Sequence, residues 1–390
     1  MPWEVTCPMR ERERLVRAWA TGSYTVTELA EAFGVSRRSV HKWLARYEQE
    51  GLVGLADRSR APHRHPNATP QAVVAAVLRK KQAHRSWGPL KLLPGEDDPP
   101  EVREAWPAPS TRGAILARAG LVQPRRRRRR VAPSGPLTRA SEANEVWCAD
   151  FKGWFRTADG QRCDPLTISD SQSRMLLCCE GLARPDYAHV RPVFESVFRE
   201  YGLPLVIRTD NGPPFASVGA GGLSPLAVWW VKLGIRPERI TPGHPEQNGQ
   251  HERMHLTLKQ ECCHPAAATP TAQQARFDSF RRVYNHERPH QALGLQPPAQ
   301  HYHHSPRSYP VALADPAYVD AEVRRVRSNG EIKWRGRFVF LSEALTGETV
   351  GIREAALGYE VYFGPILLGY LYPGQERLVR PERPRARANV

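Results

Sequence analysis

The chain has 390 residues, room for two or three domains at ~150 residues each, and its 41% hydrophobic content is ordinary for a protein that buries a core. Lys and Arg number 56 against 40 Asp and Glu, a net charge of +16, so a polyanionic partner is expected, nucleic acid first and an anionic membrane surface second. The longest apolar run, residues 226–231, is far short of the ~20 residues of a bilayer span, and the opening residues, with Glu4, Arg10, Glu11 and Arg12, lack the apolar stretch of an export signal; neither membrane insertion nor secretion is expected.

Residues 1–58 read as a helix-turn-helix. Leu29, Ala30 and Phe33 give one apolar face, Gly34 permits the sharp turn, and Ser36 is a good N-cap for the second helix. Val40, Trp43, Leu44 and Tyr47 then recur at i, i+3, i+4 and i+7, a buried stripe. Arg37, Arg38, His41 and Lys42 occupy the other side and are the candidate DNA contacts. A second helical, HTH-like segment spans 71–122; the acidic, proline-rich run 94–100 breaks it, and Ser110 or Thr111 is placed to cap a helix bearing Ile115, Leu116 and Ala119. Residues 123–143 form a basic linker whose Arg125, Arg126, Arg127, Arg128, Arg129 and Arg130 are suited to phosphate tracking with little sequence choice.

From residue 144 the pattern becomes α/β and continues to 297. Residues 146–151 read as a strand carrying Asp150, with further strands near 166–168 and 175–178. Val190, Val193, Phe194, Val197 and Tyr201 mark a helix, in which Pro192 is tolerated only at the first turn. Residues 205–210 form a strand ending in Asp210, followed at once by the turn Asn211-Gly212. Three strands, a helix and a further strand is the order of an RNase H-like core. A polar loop with Asn248 and Gly249 then leads into a helix on which Glu252, His255, Leu256 and Lys259 share a face. After a His/Pro-rich joint, residues 317–373 alternate as strands, and a small antiparallel SH3-like β-barrel is expected. The seven cysteines are scattered, with adjacent pairs instead of C-x-x-C, which fits a reducing compartment and no zinc framework.

Trp147, Asp150, Phe151, Lys152 and Gly153, then Thr209 to Phe215 around Asp210, then His244, Asn248, Gly249, Glu252 and Arg253, together resemble the integrase-core DDE transposases of bacterial insertion sequences and, more distantly, retroviral integrases. Tyr284, Asn285, Arg288, Pro289, His290 and Leu293 fit the same pattern, as does the front helix-turn-helix. The resemblance implies a bacterial, cytoplasmic, DNA-associated enzyme. It would bind the terminal inverted repeats of an element and both cleave and join DNA, working as a homo-oligomer on double-stranded DNA. It also implies that Asp150, Asp210 and Glu252 are catalytic and hold two divalent cations, Mg²⁺ or Mn²⁺, because phosphoryl transfer is served by a metal pair on carboxylate oxygens. Asn211, Gly212, Asn248 and Gly249 are expected to shape the flanking loops, and Arg253, His255 and Lys259 to meet DNA. The 41 residues between Asp210 and Glu252 exceed the common family spacing, and the Gly/Ser-rich run 217–224 is placed to absorb them. Two other readings, a catalytically silent DNA-binding regulator and a nuclease that cuts without joining, remain open on the sequence.

Overall fold

The front of the chain folds as α1 (Pro8–Ala20), α2 (Val26–Ala32) and α3 (Arg37–Glu50) around Leu15, Val16, Leu29, Ala30, Val40 and Leu44. The computed structural model describes residues 7–60, 68–122, 137–242, 244–375 and 377–381 and divides the chain into two units, Met1–Thr69 and Pro70–Val390. Helix α2 starts at a capping box, in which Glu28 accepts from the Thr25 N–H at 2.7 Å and the Thr25 hydroxyl accepts from Glu28. Gly34 takes the turn at φ +61°, and Ser36 caps α3 by accepting from the Ser39 N–H. Tyr47 departs from the expected stripe and is 38% exposed. Beyond Leu44 the helix meets cations instead of apolar chains: the Arg12 guanidinium lies 3.8 Å from the half-buried Trp43 ring and Arg46 lies 5.0 Å away.

The second unit opens with α4 (Gln71–Ala83), α5 (Pro100–Glu104) and α6 (Pro109–Arg118). Ile115 and Leu116 are buried against Val77, Trp87 and Leu92, while Ala119 is exposed. Helix α6 starts at Pro109 after Ala108, so neither Ser110 nor Thr111 is its cap; proline preset in the helical φ makes the earlier start possible. The acidic run is part of the packing, because buried Asp98 pairs with Arg79 at 3.0 Å and Lys80 at 3.4 Å. The arginines 125–130 lie outside the described residues.

Strands β1 (Val146–Phe151), β2 (Phe155–Arg156), β3 (Arg162–Asp170), β4 (Leu176–Leu182), β5 (Val206–Thr209) and β6 (Arg236–Arg239) form one mixed sheet in the order β2-β3-β1-β5-β6, with β4 on β3. Strands β1, β3 and β4 are antiparallel, and β5 and β6 run parallel to β1. Between them run α7 (Tyr187–Tyr201) and α8 (Pro225–Lys232), whose Phe194, Phe198 and Trp230 meet Trp147 of β1 in the main core. Helix α7 begins a turn earlier than expected, because Asp186 caps it. Pro192 therefore sits inside the helix, at the cost of one hydrogen bond to Ala188. On the outer side lie α9 (Gly249–Leu258) and α10 (Pro270–His286). Asn285 of α10 accepts from the Leu176 N–H at 2.8 Å and donates to the Leu176 carbonyl at 2.9 Å, pinning the helix to β4.

Strands β7 (Glu322–Arg325), β10 (Thr349–Ala355), β11 (Gly358–Phe363) and β12 (Ile366–Leu371) form an antiparallel sheet in the order β12-β11-β10-β7. Strands β8 (Glu331–Trp334) and β9 (Arg337–Phe340) form a separate hairpin. The expected barrel is thus replaced by two antiparallel sheets that do not close. Their apolar faces are covered by α8, since Ile332, Leu341, Val350 and Leu368 share the core of Trp229 and Trp230. The 217–224 loop takes part: Gly221 packs against Ile366 and Leu368. Replacing Asn285 with Ala leaves two buried backbone groups of Leu176 unpaired, so a loss of ~1–3 kcal/mol is expected; a lowered urea midpoint of the core transition checks it, and an unchanged one contradicts it.

Candidate active site

Asp150 stands near the carboxyl end of β1 and Asp210 directly after β5. The parallel register pairs Val146 with Val206, Trp147 with Ile207 and Cys148 with Arg208, and the same phase two residues on sets Asp150 level with Asp210. Adjacent strands lie only ~4.8 Å apart, so the two carboxylates confront each other. Their interaction is visible in Asp150: burial first, then the charge of Asp210 and later that of Glu252, raise its pKa to about 7 from the usual 3.8. Asp210 is half-buried and its Oδ1 accepts from the Gly212 N–H at 3.1 Å, an Asx turn. Asn211 donates to the Ile240 carbonyl at 2.7 Å, tying the turn to the chain after β6. Gly212 keeps this corner open, since a Cβ there would sit 3.1 Å from Asp210 Oδ2.

Glu252 arrives from the first turn of α9 and is exposed. The loop before it is closed by Gln247, which accepts from the Thr241 N–H at 2.7 Å. Asn248 is buried at the start of α9 with its Oδ1 unpartnered, and Gly249 opens the helix. The inner face of α9 rests on a polar network that the sequence reading missed. Thr167 Oγ1 of β3 lies 2.7 Å from both His251 Nε2 and His255 Nε2, and Ser169 Oγ lies 2.8 Å from His251 Nδ1. Burial pushes the two imidazoles down to about 3 and about 2, so both are neutral. The signal available was two histidines four residues apart opposite a Thr-x-Ser strand, and the partners lie more than 80 residues away.

His255, expected among the DNA contacts, is therefore a buried residue, 3.9 Å from Asp150 Oδ2 through Nδ1. A 300° step from Glu252 carries it past the edge of the exposed face. Arg253 and Lys259 are exposed, as are Arg37, Arg38, His41 and Lys42 on α3. Trp154, four residues beyond Asp150, is 58% exposed beside Arg162 at 5.2 Å and Arg156 at 5.9 Å. Three carboxylates supply the hard oxygen donors that Mg²⁺ or Mn²⁺ prefers, and the open corner at Gly212 leaves Asp210 approachable. Among the described residues no three His, Cys, Asp or Glu side chains form a ready-made ion cage; the donor chemistry fits a cation, whereas the cage is not preformed.

Models of an integrase core domain match residues 140–245 and 233–298, a helix-turn-helix domain matches 11–63, and a homeodomain-like domain matches 39–94. The chain thus carries an integrase core domain behind a helix-turn-helix domain. It is similar to insertion-element proteins: it is 28% identical over 296 residues to the 39.2 kDa protein of insertion element IS476 from Xanthomonas euvesicatoria, covering 74% of this chain and 80% of that one. The 31.7 kDa protein of insertion element IS407 from Burkholderia multivorans is 28% identical over 192 residues, 48% of this chain and 66% of that one. Among solved structures, the HTLV-2 integrase catalytic core domain in complex with magnesium matches 42% of this chain and 100% of its own at 16% identity and a TM-score of 0.35.

The raised pKa of Asp150 carries a pH signature. A carboxyl that holds its proton more tightly folded than unfolded adds stability that is full below 3.8 and is lost as pH rises through about 7. In protein stripped of divalent ions, the thermal midpoint of the wild type is expected to fall across that window relative to Asp150→Asn. Parallel curves for the two proteins would refute the assignment.

Proposed function

We propose that this chain is a DNA transposase that recognises the terminal inverted repeats of its element and cuts and joins DNA at Asp150, Asp210 and Glu252. The observation that carries the reading is the convergence of these acids, from a strand, a strand end and a helix separated by long stretches of sequence, closely enough that the charges of Asp210 and Glu252 bear on Asp150. Asp150, Asp210 and Glu252 would together hold a pair of divalent cations through their carboxylate oxygens. When bound, such a pair activates the attacking oxygen and stabilises the departing one in an in-line displacement. The sheet end fixes Asp150 and Asp210, and α9, seated on neutral imidazoles, presents Glu252 outward. Arg253 and Lys259, exposed on the same helix and its extension, would hold backbone phosphates. One site serves both steps because only the nucleophile changes, water first and the freed 3′-hydroxyl second.

The basic face of α3 supports recognition of element ends by a helix in the major groove, and holding two ends at once calls for a homo-oligomer on DNA. No helix among the described residues is long and apolar enough to cross a membrane. With a pre-cut end, a target plasmid and Mg²⁺, Asp210→Asn is expected to lower strand transfer at least ~100-fold while end binding stays intact. Transfer undiminished in that variant refutes the catalytic assignment, and cleavage by the wild type without joined product favours a nuclease. Arg37→Ala and Arg38→Ala should each weaken end binding by ~1–3 kcal/mol in a titration at fixed salt.

A further inference from the structure

The chain leaves Asp150 and β1 for a hairpin whose outer face the proposed chemistry does not use. The Lys152 N–H donates to the Pro165 carbonyl at 2.9 Å, and Gly153 turns the chain at φ +85°. Strand β2 then pairs with β3, Phe155 opposite Cys163 and Arg156 opposite Arg162. Alternation sends these two pairs to opposite faces. Phe155 turns inward and packs against the buried cluster to which Met254 and Leu258 of α9 belong, so the hairpin is braced on the helix that carries Glu252. Arg156 and Arg162 are exposed on the other face. Trp154 lies on their side, its ring 5.9 Å from the Arg156 guanidinium and 5.2 Å from that of Arg162.

Two guanidinia directly opposite each other on antiparallel strands repel, and a carboxylate answers only one of them. Asp164 accepts from Arg162 in bidentate fashion at 2.6 and 3.0 Å. Arg156 donates to the Gly160 carbonyl at 2.6 Å and has no carboxylate partner among the described residues. The indole between them is 58% exposed. A large aromatic surface flanked by cations is matched by a ligand that is itself both aromatic and anionic, and a nucleotide is both. A duplex offers such a surface only base edges and phosphates, whereas a base that has left its pair offers its flat side. We propose that Trp154, flanked by Arg156 and Arg162, stacks on an unpaired base of the DNA brought to Asp150, with Arg156 on the phosphate beside that base. Trp154 is four residues from Asp150, a reach of at most ~14 Å. At ~3.4 Å per step along a strand, the base lies within about four nucleotides of the phosphate under attack. The inference rests on the transposase reading for that position, and on the hairpin itself for the stacking.

The test uses the full chain in the Asp210→Asn background, where no chemistry consumes the complex. Three probes of equal length are titrated: single-stranded oligothymidylate, the same strand with its bases removed, and a duplex. Trp154→Ala is expected to weaken binding of oligothymidylate at least ~fivefold and to leave the baseless strand and the duplex bound as by the parent. Trp154→Phe should keep most of the affinity, because a phenyl ring also stacks, and thermal midpoints confirm that each variant is folded. In a pre-cut duplex of the element's terminal sequence, 5-iodouracil is then placed at one position at a time near the cut. Irradiation is expected to crosslink Trp154 at one or more of the first four positions. Undiminished affinity of Trp154→Ala for oligothymidylate, or an equal loss on the baseless strand, overturns the stacking; no crosslink at any of those positions overturns its placement beside Asp150. A changed oligomeric state of Trp154→Ala with strand binding intact assigns the face to a second copy instead. Strand transfer by the protein with Asp210 restored reports separately on the catalytic reading: joining without the Trp154 response removes the stacking site alone, and the Trp154 response without joining removes the catalytic reading alone.

Discussion

Two carboxylates at the ends of neighbouring parallel strands repel each other, and the fold holds them there. The parallel pairing of β1 with β5 sets this confrontation, because its phase puts Asp150 and Asp210 at the same height. The strands cannot slip by one residue to separate the charges without turning Trp147 and Ile207, both fully buried, toward the wrong face. Hydrophobic burial of Trp147, Phe194, Phe198 and Trp230 thus stabilises a charge arrangement that is unfavourable by itself. Relief of that repulsion needs either a proton on Asp150 or a positive charge between the two carboxylates.

The third acid is controlled differently. Helix α9 presents His251 and His255 inward and Glu252 and Arg253 outward. Two imidazoles sharing one threonine hydroxyl make a directional seat, and an apolar contact in their place would let the helix rotate or slide. The neutrality of both rings matters as well. A charged imidazole 3.9 Å from Asp150 would compete with a cation for that carboxylate, whereas a neutral one leaves it available.

Much of this was legible from local pattern. Apolar runs that end in an acid, an Asn-Gly turn and a polar loop before a helix identify where each carboxylate sits, because each signal lies within a few residues of it. The helix-turn-helix was equally local, the cap at Ser36 bonding within three residues. What escaped depends on distant partners. His255 looks like a surface residue on a helical wheel until Thr167 supplies its hydrogen bond across 88 residues. Tyr47 continues an apolar period, yet it is exposed, while Arg12 from another helix covers Trp43 one turn before it. Alternation in the last segment identified strands, but the closure of a barrel depends on pairing between strand edges, which no alternation encodes; here the apolar faces found the α8 surface instead.

The interrupted helical segment shows the same dependence in its most consequential form. A run of prolines and acids between two helices reads as a break, and its partner residues make it a brace. Asp98 accepts from the Gly95 N–H at 2.7 Å and is held by Arg79 and Lys80 of α4, so the run folds back on the helix it seems to leave. The Leu92 carbonyl accepts from Trp106 Nε1 at 2.9 Å and from the Arg112 guanidinium, fixing the stretch just after Lys91 from the other side. Val283 of α10 packs against the Val77, Trp87 and Leu116 cluster. These contacts hold the loop from Ser86 to Lys91 beside the end of α10, where Arg288 donates to Ser86 and pairs with Glu261. The segment that reads as an interruption in the sequence is therefore packed against the core through contacts that only distant residues supply.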